Sequence, residues 1–447
     1  MMKTCFPPLL KLLLIAFFAL GTAVVQAQHI DFEEYDLSNG LHVILHRDPT
    51  TPIVTTSVLY HVGSKDEKNQ RTGFAHFFEH LLFEGTKNIK KGEWFKIVTG
   101  NGGSNNAYTT NDFTYYYENF PSNNLELGLW MESERMLHPI IGEEGVATQN
   151  EVVKEEKRLR YDNSPYGRWL EEVTAKLYTK HPYKNTAIGK MEDLDAATLE
   201  EFISFNKTFY TPNNAVLTVA GDIDIPQTKK WIADYFGDIP RGVSIVRNFP
   251  QEEPISTTIN AVAHDPNIQI PALFTAYRTP GRNSRDARVL DMISNYLSNG
   301  KSSKLYKKLV DEKKLSLQVA AFNINSEDYS TYVVLTLPLG ETSLEQLTAE
   351  IDEEIQKMQN ELISEKDYEK LLNQFETNFV NSNASIEGIA NSLAEYYTFY
   401  GNTNLINDEI NLYRSITRSE IQEVAKKYLN SNQRLELHYL PQEPSKN

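Results

Sequence analysis

Two stretches of this 447-residue chain open in the same way. Asp48-Pro49 stands just before the apolar run Ile53 to Tyr60, and Asp265-Pro266 stands just before the run Ala272 to Tyr277. Runs of β-branched, aliphatic and aromatic residues after a turn signal read as strands. Each is followed by a helical pattern: Gly73 to Phe83 in the first case, Ser284 to Leu297 in the second. Each half also carries, near its end, a helix and then an apolar strand. In the first these are Thr198 to Phe205 and Ala215 to Ala220; in the second, Ile421 to Tyr428 and Leu435 to Leu440. An α+β unit of roughly 200 residues, used twice, is the simplest account. Strands mixed with long helices, with no Gly-rich crossover, favour a sheet covered by helices over a doubly wound sheet. The expected organisation is residues 28–240, a Pro/Gly/charge-rich linker at 241–256, and a homologous domain at 257–447.

Residues 1–27 read separately. Lys3 and Lys11 precede the apolar run Leu12 to Leu20, which ends in Val25-Gln26-Ala27. A basic start, a short apolar core and a small-x-small end describe a cleavable export signal. The apolar core falls short of the roughly 20 residues that span a bilayer, so no stable membrane anchor is expected after cleavage. The product is expected in the periplasm or secreted. Cys5 is the only cysteine and leaves with the leader, so the remainder must be stabilised without a disulfide. The net charge of −16 argues against nucleic acid as a partner.

Only the first half carries an unusual helix, His76-Phe77-Phe78-Glu79-His80. Residues four apart lie about one turn apart on one helix face, so the two imidazoles can meet at a single metal ion. Glu79, three residues after His76, can reach a water on that metal. The flanking residues are apolar nearly all round, which predicts a buried helix. Buried imidazoles and a buried carboxylate are costly without partners, and a metal satisfies all three.

A catalytic zinc site needs a third protein ligand. His138, His181, Glu151, Glu155 and Glu156 are candidates in the first half. His138 and His181 each precede a proline and read as turn or surface residues. On a helical wheel Val152, Val153 and Leu159 define an apolar stripe, with Glu156 inside it and Glu151 and Glu155 on its polar flank. A carboxylate within an apolar stripe needs a partner, which favours Glu156 over Glu155.

With these residues in view, the chain resembles the pitrilysin/insulinase-type metallopeptidases, whose inverted zinc motif is His-x-x-Glu-His. His76, Glu79 and His80 match the motif, and Glu156, 76 residues after His80, matches the family's downstream glutamate ligand. Leu82-Phe83-Glu84-Gly85-Thr86, Glu151-Val152-Val153-Lys154, Pro165-Tyr166-Gly167, His181-Pro182-Tyr183 and Gly300 to Tyr306 also match. The likeness covers nearly all of the chain after the leader and is closest to short bacterial members and the mitochondrial processing peptidase. It implies two homologous α/β-sandwich-type domains in a bilobed shell. It also implies one zinc ion per chain and a zinc endopeptidase acting on peptides or unfolded segments. Glu79 would be the general base, activating a water on the zinc. The peptide would add as a strand along Gly103, Ser104, Asn105, Asn106, Ala107 and Tyr108.

One departure stands out. The family's second domain usually supplies an arginine and, seven residues later, a tyrosine that engage the substrate. Val310 and Leu317 stand there instead. Neither can donate a hydrogen bond, so a homologous partner chain carrying both residues is expected to complete the site in a heterodimer. The alternative is a non-catalytic interaction subunit of a peptidase complex.

Overall fold

The computed structural model describes residues 29–442. The expected leader, 1–27 with Cys5, lies outside the described residues. Six strands form the first sheet: β1 Glu33–Asp36, β2 His42–Arg47, β3 Ile53–Tyr60, β4 Ser104–Thr109, β5 Thr114–Pro121 and β6 Ala215–Gly221. Five form the second: β7 Ile259–Asp265, β8 Ala272–Pro280, β9 Ser316–Ile324, β10 Tyr329–Pro338 and β11 Leu435–Pro441. The first sheet has the order β1-β2-β6-β3-β5-β4 and the second β7-β11-β8-β10-β9.

Apart from the extra edge strand β1, the two orders are the same. Each sheet has a single parallel pair, β2 with β6 and β7 with β11, and every other ladder is antiparallel. The duplication expected from the strand patterns is therefore a duplication of topology. The central strands β3 and β6 are buried along nearly their whole length, as β-branched runs covered on both faces should be.

The helices that matter for the site are α1 Phe74–Leu81, α2 Leu125–Leu137, α3 Glu143–Lys157, α4 Trp169–Leu177, α5 Arg285–Ser298 and α6 Ile386–Tyr400. α1 and α2 share a core with β3 and β5, built on Val58, Tyr60, Phe77, Phe78, Tyr116 and Leu129. α5 holds the place in the second half that α1 holds in the first, and packs through Leu290, Ile293 and Leu297.

The opposite faces are covered by exchange. α4 precedes residues 241–256, yet its Val173 and Leu177 pack with Phe274, Leu435 and Tyr439 of the second sheet. Trp169 lies flat on Phe274 with ring centroids 5.2 Å apart. In return, Ile386 and Ala390 of α6 pack on Ala220 of β6, and Tyr397 stacks on His42 of β2. Residues 241–256 form neither helix nor strand. Their Glu252 accepts N–H groups from Thr179, Lys180 and His181, fastening the segment to the first half.

His181 corrects the sequence reading. It is fully buried, with Nε2 3.4 Å from Asp328 and its Nδ1 accepting from the Tyr183 N–H. It sits in a seam of charge between the halves, where Lys65, itself 1 % exposed, meets Asp112 at 2.9 Å, Glu327 at 2.5 Å and Asp328 at 3.3 Å. The His-Pro turn is real, but the turn faces the other half. Among the described residues no helix is long and apolar enough to cross a membrane.

Candidate active site

α1 owes its orientation to aromatic packing. Phe74, Phe77 and Phe78 contact Phe202 and Phe205, with ring centroids between 4.6 and 6.2 Å apart. At 100° per residue, the face left over carries His76, Glu79 and His80. The C-terminal end is held by Tyr116, whose hydroxyl donates to the Phe78 carbonyl at 2.7 Å. Arg135 of α2 donates to the Leu82 carbonyl there. Arg135 is fully buried between Glu118 and Glu132, with its guanidinium over Trp94, Tyr116 and Phe83. A buried cation of this kind needs both the carboxylates and the ring faces around it.

α3 lies against α1 and brings Glu156 to the two histidines. Glu156 Oε2 is 3.1 Å from His80 Nε2 and 3.5 Å from His76 Nε2. One ligand atom from each of the three lies within 4.8 Å of the others, the only such group of three among the described residues. The helix reaches this position on a single buried contact, Val153, three residues before Glu156. Val152 and Leu159, placed in the apolar stripe from the sequence, are 44 % and 63 % exposed. The stripe does not exist; Glu156 faces α1 because it lies one turn from Val153. Glu155 points away, its side chain 56 % exposed and paired with Arg158, and Glu151 is 71 % exposed. His138 lies at the end of α2, its Nδ1 3.2 Å from Glu134.

Electrostatics sort the four groups. Burial, reinforced by His80, lowers His76 to about 4, so the ring is neutral and one of its nitrogens has a lone pair free for a metal. The His80 ring nitrogen holds the Glu156 carboxyl below its usual value. Burial pushes Glu79 in the opposite direction, raising it towards the range of a general base. Three donors of this kind, two imidazoles and an ionised carboxylate, suit zinc. His76 Nε2 and His80 Nε2 both face Glu156 Oε2, which fits a site built for an ion.

Three neighbours were given no part in the metal site from sequence, although Thr109 closes the stretch read as the substrate strand. Thr109 donates its hydroxyl to Glu79 Oε2 at 2.7 Å. Arg160 reaches Glu156 Oε1 at 2.7 Å. Arg135 buttresses the far end of α1. The signal for Thr109 was present in strand parity, because it shares a face with the buried Ala107.

Thr109 ends β4, which pairs with β5 along Ser104 to Thr109 and, among the described residues, has no strand on its other side. Its second edge is therefore open to an added strand. Ser104 and Asn106 are exposed there, while Asn105 and Tyr108 are half-buried and Ala107 is buried. Two of the expected contacts have duties within the chain. A Cβ at Gly103 would meet Phe120 Cδ1 at 2.6 Å and the Asn119 carbonyl at 2.7 Å, so its small size serves packing on β5. Tyr108 donates to Asn391 of α6 at 2.7 Å.

Beyond Thr109 a cavity of about 460 Å³ opens between the halves, lined by Thr109 and Tyr161 on one side and Arg282 and Asn325 on the other. Arg282 is paired with Glu395 at 2.9 Å. Val310 packs against the core of the second half, and Leu317 is 47 % exposed.

Two family models match the chain, and they meet near residues 190–196, inside the first half. Residues 42–190 match the family model described as insulinase (peptidase family M16), and residues 196–375 match the peptidase M16 inactive domain. The zinc protease PqqE of Helicobacter pylori is 30 % identical over 404 residues, covering 90 % of this chain and 91 % of that one. The crystal structure of a protease from Helicobacter pylori superposes with a TM-score of 0.85 at 29 % identity, covering 92 % of this chain and 99 % of that one. An M16-like peptidase from Alicyclobacillus acidocaldarius shares the fold, with a TM-score of 0.81 at 20 % identity, over 94 % of this chain and 100 % of that one.

Proposed function

The chain belongs to peptidase family M16, and on that premise we propose that it is a zinc-dependent endopeptidase with Glu79 as its general base. The observation that carries this reading is the convergence of His76, His80 and Glu156 beside Glu79. His76, His80 and Glu156 would hold one zinc ion. The chemistry such an ion supplies is Lewis-acid polarisation of a water and of the scissile carbonyl, bringing the water's pKa down towards about 7.

The chain's own residues do the rest. Glu79, raised by burial, accepts the proton of the attacking water and returns it to the leaving amine. Thr109 fixes which way that carboxylate points, and because it ends β4 it also links the base to the open strand edge. A peptide laid along that edge has its carbonyls brought towards Glu79 in a register set by backbone hydrogen bonds. Cleavage would then depend on extended backbone more than on a particular side chain, which suits peptides and unfolded segments.

The proposal includes export, on the strength of residues 1–27, and a homologous partner subunit. With Val310 packed against a core and Leu317 partly exposed, both aliphatic, the second half of this chain offers no side-chain hydrogen-bond donor at either position. A partner carrying arginine and tyrosine there would supply them. The test combines zinc content with cleavage of a fluorogenic peptide by wild type and Glu79→Gln, each alone and with the homologous chain. One zinc per chain in both proteins, with cleavage only in wild type, is the expected result. Zinc uptake without cleavage in any combination would favour the interaction-subunit reading. Full activity of the single chain would remove the need for a partner.

A further inference from the structure

The start of α1 is capped from a distance. Its first flanking residue, Gly73, has φ +89° and no side chain to offer, and a Cβ there would meet the Ile188 carbonyl at 2.9 Å. A serine or aspartate cap is therefore ruled out at this position by space and by backbone conformation. The N–H groups of the first turn still need acceptors. Glu67, six residues upstream, provides them: its Oε2 accepts from the Gly73 N–H and its Oε1 from the Ala75 N–H, both at 2.9 Å. Among the described residues no lysine, arginine or histidine forms an ion pair with Glu67. Its neighbour Asp66 instead takes Arg247 at 2.7 Å.

The same segment is gripped from the other side. Asp193 accepts both the Thr72 N–H, at 3.1 Å, and the Thr72 hydroxyl, at 2.5 Å. Thr72 in turn accepts from the Lys190 N–H. Ala75, the residue Glu67 holds, is directly followed by His76. A shift or fraying of that N–H moves the first metal-facing imidazole relative to Glu156, which belongs to a different helix. The position of His76 thus depends on a carboxylate that touches neither metal nor substrate.

We infer that Glu67 is a positioning residue of the metal centre, holding His76 in register with His80 and Glu156 by fixing the first turn of α1. The inference rests on the zinc reading above and adds a residue to it. Only an acceptor pair one carboxylate wide bridges two N–H groups two residues apart. An amide in its place turns one of its two contacts into a donor facing a donor.

The test is Glu67→Gln in the full chain, read by zinc affinity in competition with a chromophoric chelator and by the visible spectrum of the cobalt-loaded protein. Residues that orient metal ligands typically cost about 10- to 100-fold in metal affinity when lost, and a loss in that range with an altered cobalt spectrum is expected. Glu67→Asp, one methylene shorter, reaches one N–H and should fall between the two; it serves if the glutamine variant does not fold. A lowered melting temperature of the metal-free protein with unchanged zinc affinity and spectrum would make Glu67 a stability cap and overturn the inference. Wild-type protein that takes up no zinc would overturn the reading of the site itself, and this inference with it.

Discussion

Thr109 Oγ1 donates to Glu79 Oε2 at 2.7 Å, joining the last residue of an open-edged strand to the carboxylate of the metal-motif helix. In the proposed peptidase, the bond makes one residue answerable to both parts of the site, the peptide track and the base.

Thr109→Val keeps the shape and removes the donor. The hydroxyl works to lower the Glu79 pKa, so its loss raises it further. The acidic limb of the pH profile of kcat/KM should move to higher pH, with kcat down about 10-fold and zinc content unchanged. An unmoved acidic limb would show that Thr109 does not act on the base.

Glu156 and Glu155 are adjacent, but one meets the histidines and the other points to solvent. Glu156→Gln should abolish stoichiometric zinc binding, as loss of one of three protein ligands does. Glu155→Gln removes an exposed pair with Arg158 and should change stability by less than about 1 kcal/mol, with zinc retained. Metal analysis of the two purified variants compares them directly.

Lys65→Met tests the seam between the halves. The substitution leaves Asp112, Glu327 and Asp328 facing one another without their shared cation. Breaking a buried pair from one side costs about 3–5 kcal/mol, which chemical denaturation would register as a lower midpoint.

The same seam gives an acid limb to stability. Burial works to raise Glu327, but the bonds and charges of His61 and Lys65 outweigh it and hold the carboxyl at about 2. Its folded pKa lies below the ordinary 4.5, so its contribution is complete above about pH 4.5 and is lost as pH falls towards 2. Melting temperature should drop over that window, and Glu327→Gln, though less stable at neutral pH, should show a shallower drop there.

Much of this protein could be read from local pattern. The His-x-x-Glu-His spacing needs only helical geometry to place three polar groups on one face. The β-branched runs fix where strands lie, and the repeated order of elements already implies two sheets of one topology. Glu156 was reached partly for a wrong reason, because hydropathy on a wheel assigns faces without knowing what each face meets. Val152 and Leu159 are apolar and exposed all the same.

Long-range pairing was out of reach of such patterns. Nothing in the periodicity of α4 or α6 says that each covers the other half's sheet, since an apolar stripe fits any apolar face. Nothing about a His-Pro turn places His181 beside Asp328, and nothing about a loop of mixed charge assigns Glu67 to the first turn of α1. The sequence by itself determined the chemistry available and the elements that carry it, because both depend on neighbours within a few residues. The tertiary structure decided which carboxylate meets the histidines, which hydroxyl steers the base and which cap holds the helix, because those contacts depend on how separate segments of the first half pack on one another.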